Sequence, residues 1–144
     1  MLHLGDVTPD VPGFESLRLE CDAEGHRMLG RFAENWHNGT NRFDAPGEVV
    51  VGAYENDALV GLCGRNRDPY DPSARAGRIR HLYVAARSRR FGIGRRLIEA
   101  MVDGASRWFD YLNTNCPPDA AAFYERLGFV PLVAERITHR LRLL

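Results

Sequence analysis

Between Ile79 and Phe109 a short β-rich run, a glycine-bearing turn and a long amphipathic stretch follow one another without a break. This joint constrains the fold more than any other part of the chain. Ile93, Leu97, Ile98, Met101, Val102, Ala105, Trp108 and Phe109 recur at helical spacing, so a helix with one apolar face is predicted over 93–109. That face needs an apolar partner, and the run from Ile79 to Val84 supplies a strand for it. Within this strand Ile79 has odd parity, whereas Leu82 and Val84 have even parity. Either the strand is buried on both faces, or a β-bulge inserts a residue, flips the alternation and leaves backbone groups unpaired.

The rest of the chain supplies elements of matching size. Phe14 to Glu20 alternates well enough to be read as a short strand, and Met28, Leu29, Phe32, Ala33 and Trp36 mark a helix over 22–38 that Asn38-Gly39 can stop. Residues 48–54 and 58–64 form a hairpin around Glu55-Asn56-Asp57, and 65–77 reads as a long polar loop. A strand at 111–116 follows, then a helix at 120–127 with Asp119 as candidate N-cap and Gly128 as stop. Residues 129–134 and 137–143 can make a final hairpin. The order β-α-β-β-β-α-β-α-β-β predicts one α/β domain over 1–144, a mixed sheet covered by helices.

The joint also carries chemistry. It reads Leu82-Tyr83-Val84, then Arg89-Arg90-Phe91-Gly92-Ile93-Gly94-Arg95-Arg96. The first N–H groups of a helix lack partners and the macrodipole makes that end positive. Glycines at 92 and 94 let an anion approach this backbone, and the arginines add charge, so the turn suits a phosphate. It is neither a Walker loop, since no Gly-Lys-Ser/Thr follows, nor the dinucleotide fingerprint, whose third glycine is Leu97 here. Taken alone, the two glycines also fit a turn that merely packs the helix on the sheet.

With a second motif the joint resembles the GNAT superfamily of N-acetyltransferases. Arg89, Gly92 and Gly94 match the acetyl-CoA loop pattern Gln/Arg-x-x-Gly-x-Gly/Ala, and Phe123-Tyr124-Glu125-Arg126-Leu127-Gly128-Phe129 matches the downstream helix signature. The likeness runs from about Glu48 to the C-terminus. It implies a largely antiparallel mixed sheet with helices on both faces and a V-shaped splay between the two central strands, where acetyl-CoA lies. It implies that backbone groups of Leu82, Tyr83 and Val84 hold the pantetheine arm and the thioester carbonyl. Residues Arg89, Arg90, Phe91, Gly92, Ile93, Gly94 and Arg95 would bind the pyrophosphate, and Tyr124 would protonate the departing CoA thiolate. Many family members place an asparagine seven residues before the tyrosine, where this chain has Pro117; Asn115 is the nearby candidate.

Relatives often use a glutamate on the strand before the loop as the base. Here that strand reads Arg78-Ile79-Arg80-His81, so His81 is the local candidate, against a structural histidine or a water chain. Cys116 reads as a small buried hydrophobe rather than a nucleophile. The acceptor amine, on a small molecule or a peptide, would be chosen by Trp36, His37 and Asn38, by the loop with Asp68, Tyr70 and Asp71, and by the last hairpin. Acidic residues in that loop would suit a cationic amine.

Composition excludes other classes. Cys21, Cys63 and Cys116 form neither a disulfide framework nor a zinc spacing, and no secretory leader or membrane-length apolar run is present, so a cytoplasmic protein without metal is expected. All 19 basic residues are arginine, yet they balance 19 acidic ones, and no nucleic-acid motif accompanies the cluster Arg87, Arg89, Arg90, Arg95 and Arg96. Two alternatives stand beside the enzyme: a non-catalytic acetyl-CoA sensor, which would not need Tyr124, and an arginine-rich nucleic-acid-binding domain. A homodimer is left open.

Overall fold

A computed structural model describes residues 1–144. One seven-stranded sheet runs through it: β1 Leu2–Asp6, β2 Val49–Glu55, β3 Ala58–Arg67, β4 Ala76–Val84, β5 Tyr111–Thr114, β6 Val130–Ala134 and β7 Ile137–Arg142, in spatial order β1-β2-β3-β4-β5-β7-β6. Every neighbouring pair is antiparallel except β4–β5. Helices α1 (Phe14–Ala23), α2 (Met28–His37), α3 (Ile93–Val102) and α4 (Ala121–Arg126) complete the domain. None of them is long and apolar enough to cross a membrane.

Four sequence expectations are corrected. Residues 14–20 are helical, not extended, because Phe14, Leu17 and Cys21 bury one face of α1 while Arg18 pairs with Glu15 and Asp22 on the other. The helix expected over 22–38 is two helices, divided at Gly25, whose φ of 85° suits glycine. The long helix stops at Val102; Gly104 at φ 69° turns the chain into a single 3₁₀ turn, which brings Ala105 and Phe109 into the core by a different route. Asp119 lies inside a 3₁₀ turn, and Ala120 precedes α4 instead. Strand β1, which pairs with β2, went unread.

The decisive feature of the sheet is where pairing ends. Strands β4 and β5 share only the pairs Ala76–Tyr111, Gly77–Leu112 and Arg78–Asn113; beyond these, β4 continues to Val84 and β5 ends at Thr114. On its other edge β4 stays paired with β3 up to Val84. The two strands therefore splay into a V. A bulge accompanies the splay: Gly64 faces Arg80 and Leu62 faces Tyr83, so His81 and Leu82 together oppose Cys63. His81 holds φ 62° there, and the broken parity read in the sequence has this origin.

Each face of the sheet has its own helices. Arg80 and Tyr83, opposite Gly64 and Leu62, share a face, and the Tyr83 hydroxyl lies within hydrogen-bond distance of Glu20 of α1 (2.6 Å) and of Glu24 at its C-cap (2.7 Å), its one proton shared between them. On the opposite face Arg65 donates to the Met101 carbonyl at the end of α3 (2.7 Å). A cation at that position satisfies carbonyls that the helix leaves free and complements its dipole.

Candidate active site

Seen from the residues upward, the site begins at the N-terminus of α3. Gly92, the N-cap, sits at φ 80° with no side chain capping the helix, and a Cβ at Gly92 would meet no protein atom within 4 Å. The exposed first-turn N–H groups thus face open space, which is what an anion needs. Gly94 is different: a Cβ there would come within 3.3 Å of the Phe123 ring, so this glycine lets α3 approach α4. Arg90 and Arg95 flank the turn, and both line the cleft that opens from it.

Arg89 has another task. Its Nε donates to the Val84 carbonyl (2.9 Å), its Nη2 donates to Glu24 (2.5 Å), and its guanidinium lies over the Tyr83 ring at 5.4 Å. The Ala86 N–H also donates to Glu20 (3.1 Å). Together Glu20, Glu24, Tyr83 and Arg89 brace α1 against the end of β4. Arg89, with Tyr83 as a lesser hydrogen-bond donor, holds the Glu24 carboxyl below its ordinary range. Phe91 points outward, 79% exposed, and is alone among the expected acetyl-CoA-binding residues in not lining the cleft.

The cleft occupies the V, with a volume of about 780 Å³. Its walls include Leu82, Tyr83 and Val84 on one side and Thr114, Asn115 and Cys116 on the other, with Tyr124 and Phe123 from α4. Because β5 does not pair with β4 beyond Arg78, the backbone edge of Leu82–Val84 toward β5 has no strand partner. Apart from the Val84 carbonyl, which accepts from Arg89, the N–H and C=O groups on that edge can bind an extended, amide-bearing chain.

Tyr124 is 5% exposed and packs edge-on against Phe123 and Phe129, with centroids 5.2 Å away in each case. Burial pushes its phenol above the ordinary value of 10, and charge on Cys63 and Cys116 would add to this, while the Thr114 side chain acts the other way. The phenol is therefore a protonated donor throughout the neutral range.

His81 sits on the bulge between Phe32 (5.6 Å) and Phe43 (5.9 Å), and its buried Nε2 has no partner although the residue lines the cleft. Desolvation first, then Arg80 and Arg31, holds its pKa down to about 3. The imidazole is neutral at pH 7, an acceptor or donor of hydrogen bonds rather than a store for protons.

One constellation escaped the sequence reading. His139 of β7, 5% exposed, lies 2.8 Å from Glu125 through Nε2 and 2.9 Å from the Thr138 hydroxyl through Nδ1. The Cys116 sulfur is 3.6 Å from the same Nδ1. An Nε2–H donated to the Glu125 carboxylate leaves the Nδ1 lone pair facing the thiol. Cys116 thus packs on the core as expected and in addition has polar partners on the cleft wall. Only the strand pairing Thr114–His139 brings these residues together, which no local spacing could foretell. Cys63 differs, being buried with its thiol pushed up by desolvation.

Asp68 and Asp71 do not wait for a cationic amine. Asp68 is fully buried, accepting from Asn113 (2.9 Å) and Arg78 (3.4 Å); Asp71 accepts from Tyr111 (2.9 Å) and Arg140 (3.4 Å). Their charges are spent at the closed end of the V. No three His, Cys, Asp or Glu side chains are grouped to hold a metal ion.

Comparison with known proteins agrees with this geometry. An acetyltransferase (GNAT) domain family model matches residues 46–131. A protein from Exiguobacterium sp. 255-15 assigned as an acetyltransferase is 28% identical, covers 99% of this chain and 93% of its own, and superimposes with TM-score 0.88. A GNAT-family protein from Desulfovibrio desulfuricans shares the fold over the full length of both chains at 19% identity and TM-score 0.77. N-acetylglutamate synthase from Neisseria gonorrhoeae, solved with coenzyme A and N-acetyl-glutamate, shares it at 18% identity and TM-score 0.71, over all of this chain and 35% of that one. No curated protein matches the sequence. With a bulged strand splayed from its neighbour, an uncapped glycine helix start between them and a family match across both, the chain belongs to the GNAT acetyltransferase family, whose acyl donor is acetyl-CoA.

Proposed function

We propose that the protein transfers the acetyl group of acetyl-CoA to an amine of a small molecule or peptide by direct attack, with Tyr124 as general acid. The observation that carries this reading is the buried Tyr124 phenol on the wall of the same cleft as the open α3 N-terminus and the unpaired edge of β4. The first-turn N–H groups of α3, with Arg90 and Arg95, would hold the pyrophosphate. The Leu82–Val84 backbone would take the pantetheine arm and polarise the thioester carbonyl. The amine nitrogen bonds to the carbonyl carbon, the C–S bond breaks, and the CoA thiolate takes the phenol proton. A thiolate forming in a dry cleft is itself a stronger base than in water, so a phenol held above 10 can still serve it.

His81 fits an orienting role: its neutral ring can accept a hydrogen bond from the amine, whose surplus proton then leaves through water. The site assignments are tested by Tyr124→Phe, expected to lower kcat about 10²-fold with acetyl-CoA affinity unchanged. Wild-type turnover would remove Tyr124 from the mechanism. Acetyl-CoA binding with no turnover of any amine would favour the sensor, and oligonucleotide binding unaffected by acetyl-CoA the arginine patch.

A second reading follows from Cys116, His139 and Glu125. Their order is that of a nucleophile, a base and an orienting carboxylate, so the thiol could take the acetyl group first. Incubation with acetyl-CoA and no amine separates the routes. A stoichiometric burst of CoA, with the mass of one acetyl group on Cys116, would support the acyl-enzyme; direct attack gives neither.

A further inference from the structure

Five arginines are not fully exposed: Arg18, Arg65, Arg78, Arg80 and Arg140, and Arg18 pairs with Glu15 and Asp22. Arg65 donates to the carbonyls of Gly47 and Met101, Arg78 pairs with Asp68, and Arg140 binds Asn113 and Asp71. Arg80 is the exception. It is half-buried on β4 between two cleft-lining residues, Ile79 and His81, and makes no ion pair and no side-chain hydrogen bond. Burial weakens its charged form first, then Arg78, with Arg31 of α2 acting the same way, while Tyr70 and Asp68 offset part of this. The one buried carboxylate nearby, Asp68, already serves Arg78, Asn113 and the Tyr70 N–H. Its nitrogens are not among the fully buried unpartnered atoms, so five donors stay open to an incoming anion with no protein acceptor committed to them.

We infer that Arg80, assisted by Arg31, is a subsite for an anionic group on the acceptor, so that the natural substrate is an amine carrying a carboxylate or a phosphate. The inference rests on the acetyltransferase reading above and deepens it. Two further observations place the acceptor here. Arg80 points to the α1–α2 face of the sheet, whereas the α3 start that suits the pyrophosphate belongs to the opposite face, so donor and acceptor reach the splay from different sides. His81, the next residue, lines the cleft and has a buried, unpartnered Nε2. The spacing also suits a small molecule. Arg80 lies two residues before Leu82, at most roughly 7 Å since the bulge shortens the strand, so an anion on the guanidinium leaves the amine within a few bonds of the thioester. Charge argues the same way: Arg31 and Arg80 gather on this face without an ion-pair partner, and a polyamine would be repelled.

The test is a turnover panel with acetyl-CoA: amino acids, their carboxamides, aminoalkyl phosphates and diamines, with wild type and Arg80→Gln. Amino acids or aminoalkyl phosphates should exceed carboxamides and diamines at least tenfold in kcat/KM, and the better of the two names the anion. Arg80→Gln should raise KM for the anionic amine at least tenfold, leave the carboxamide rate and acetyl-CoA affinity unchanged, and be partly rescued by Arg80→Lys. Equal use of acids and carboxamides, or an unaltered KM in Arg80→Gln, overturns the subsite. If no amine is turned over, the acetyltransferase reading fails separately. Calorimetry of N-acetyl amino acids and of the aminoalkyl phosphates, each with CoA present, then decides: binding lost in Arg80→Gln supports the subsite, and binding retained or absent in wild type overturns it.

Discussion

His81 is the residue at which three demands meet. The bulge takes a positive φ, Phe32 and Phe43 pack against the ring, and the residue lines the cleft with one ring nitrogen buried and unpartnered. Burying a neutral histidine has a pH signature with a definite sign. The unfolded chain takes up a proton near pH 6.5, while the folded protein does so only near 3. Stability is therefore full above pH 6.5 and declines by about 1.4 kcal/mol per pH unit as pH falls through that window. His81→Asn, which tolerates the left-handed conformation but does not titrate, should flatten this part of the urea-denaturation profile. An unchanged acid slope would place the titration elsewhere. The same depressed value means that an acidic limb of kcat/KM near pH 6 belongs to the substrate amine or another group, and it should survive in His81→Asn. Tyr124, pushed the other way, should contribute no basic limb below pH 10.

At the scale of elements, the joint between β4 and α3 separates two uses of glycine that look alike in sequence. Gly92→Val fills space open to solvent and strains a φ of 80°, so acetyl-CoA affinity should fall at least about tenfold, a change of 1.4 kcal/mol that calorimetry resolves. Gly94→Val instead pushes on Phe123, which packs edge-on against Tyr124. Its expected signature is a kcat loss of about tenfold that accompanies or exceeds any loss of affinity, as befits a 1 Å displacement of a reacting group. If both variants lost affinity alone, Gly94 would belong to the anion site and not to the acid's support. The joint, its bulge and the α4 signature were legible because each leaves a local mark: parity, glycine spacing and a contiguous motif. The α1 helix was misread because Leu17 and Leu19 mimic a strand's alternation, while the i, i+3, i+7 burial of Phe14, Leu17 and Cys21 shows only once a sheet covers it.

Across the whole molecule, the V has one closed end and one open end. Asp68, Asp71, Arg78, Tyr111, Asn113 and Arg140 join the last paired rungs of β4 and β5 through buried hydrogen bonds. Such a network stabilises only when complete, so Asp68→Ala, which strands Arg78 and Asn113, should cost about 3 kcal/mol. The measurable form is a Tm lowered by roughly 10 °C. Adding Asn113→Ala should cost less than the separate effects combined, because the partners are shared. Strict additivity would show that these groups do not act together. By itself the sequence determined what short-range chemistry encodes: a strand that breaks its alternation, a glycine turn opening a helix, a tyrosine in its signature, and hence the family. Tertiary structure decided the rest. The spending of Asp68 and Asp71, the bracing of Arg89, the meeting of Cys116 with His139 and the isolation of Arg80 all depend on residues far apart in the chain. Partners of that kind are set by strand order and register, and a side chain's charge has no meaning for function until the fold says whether it is already answered.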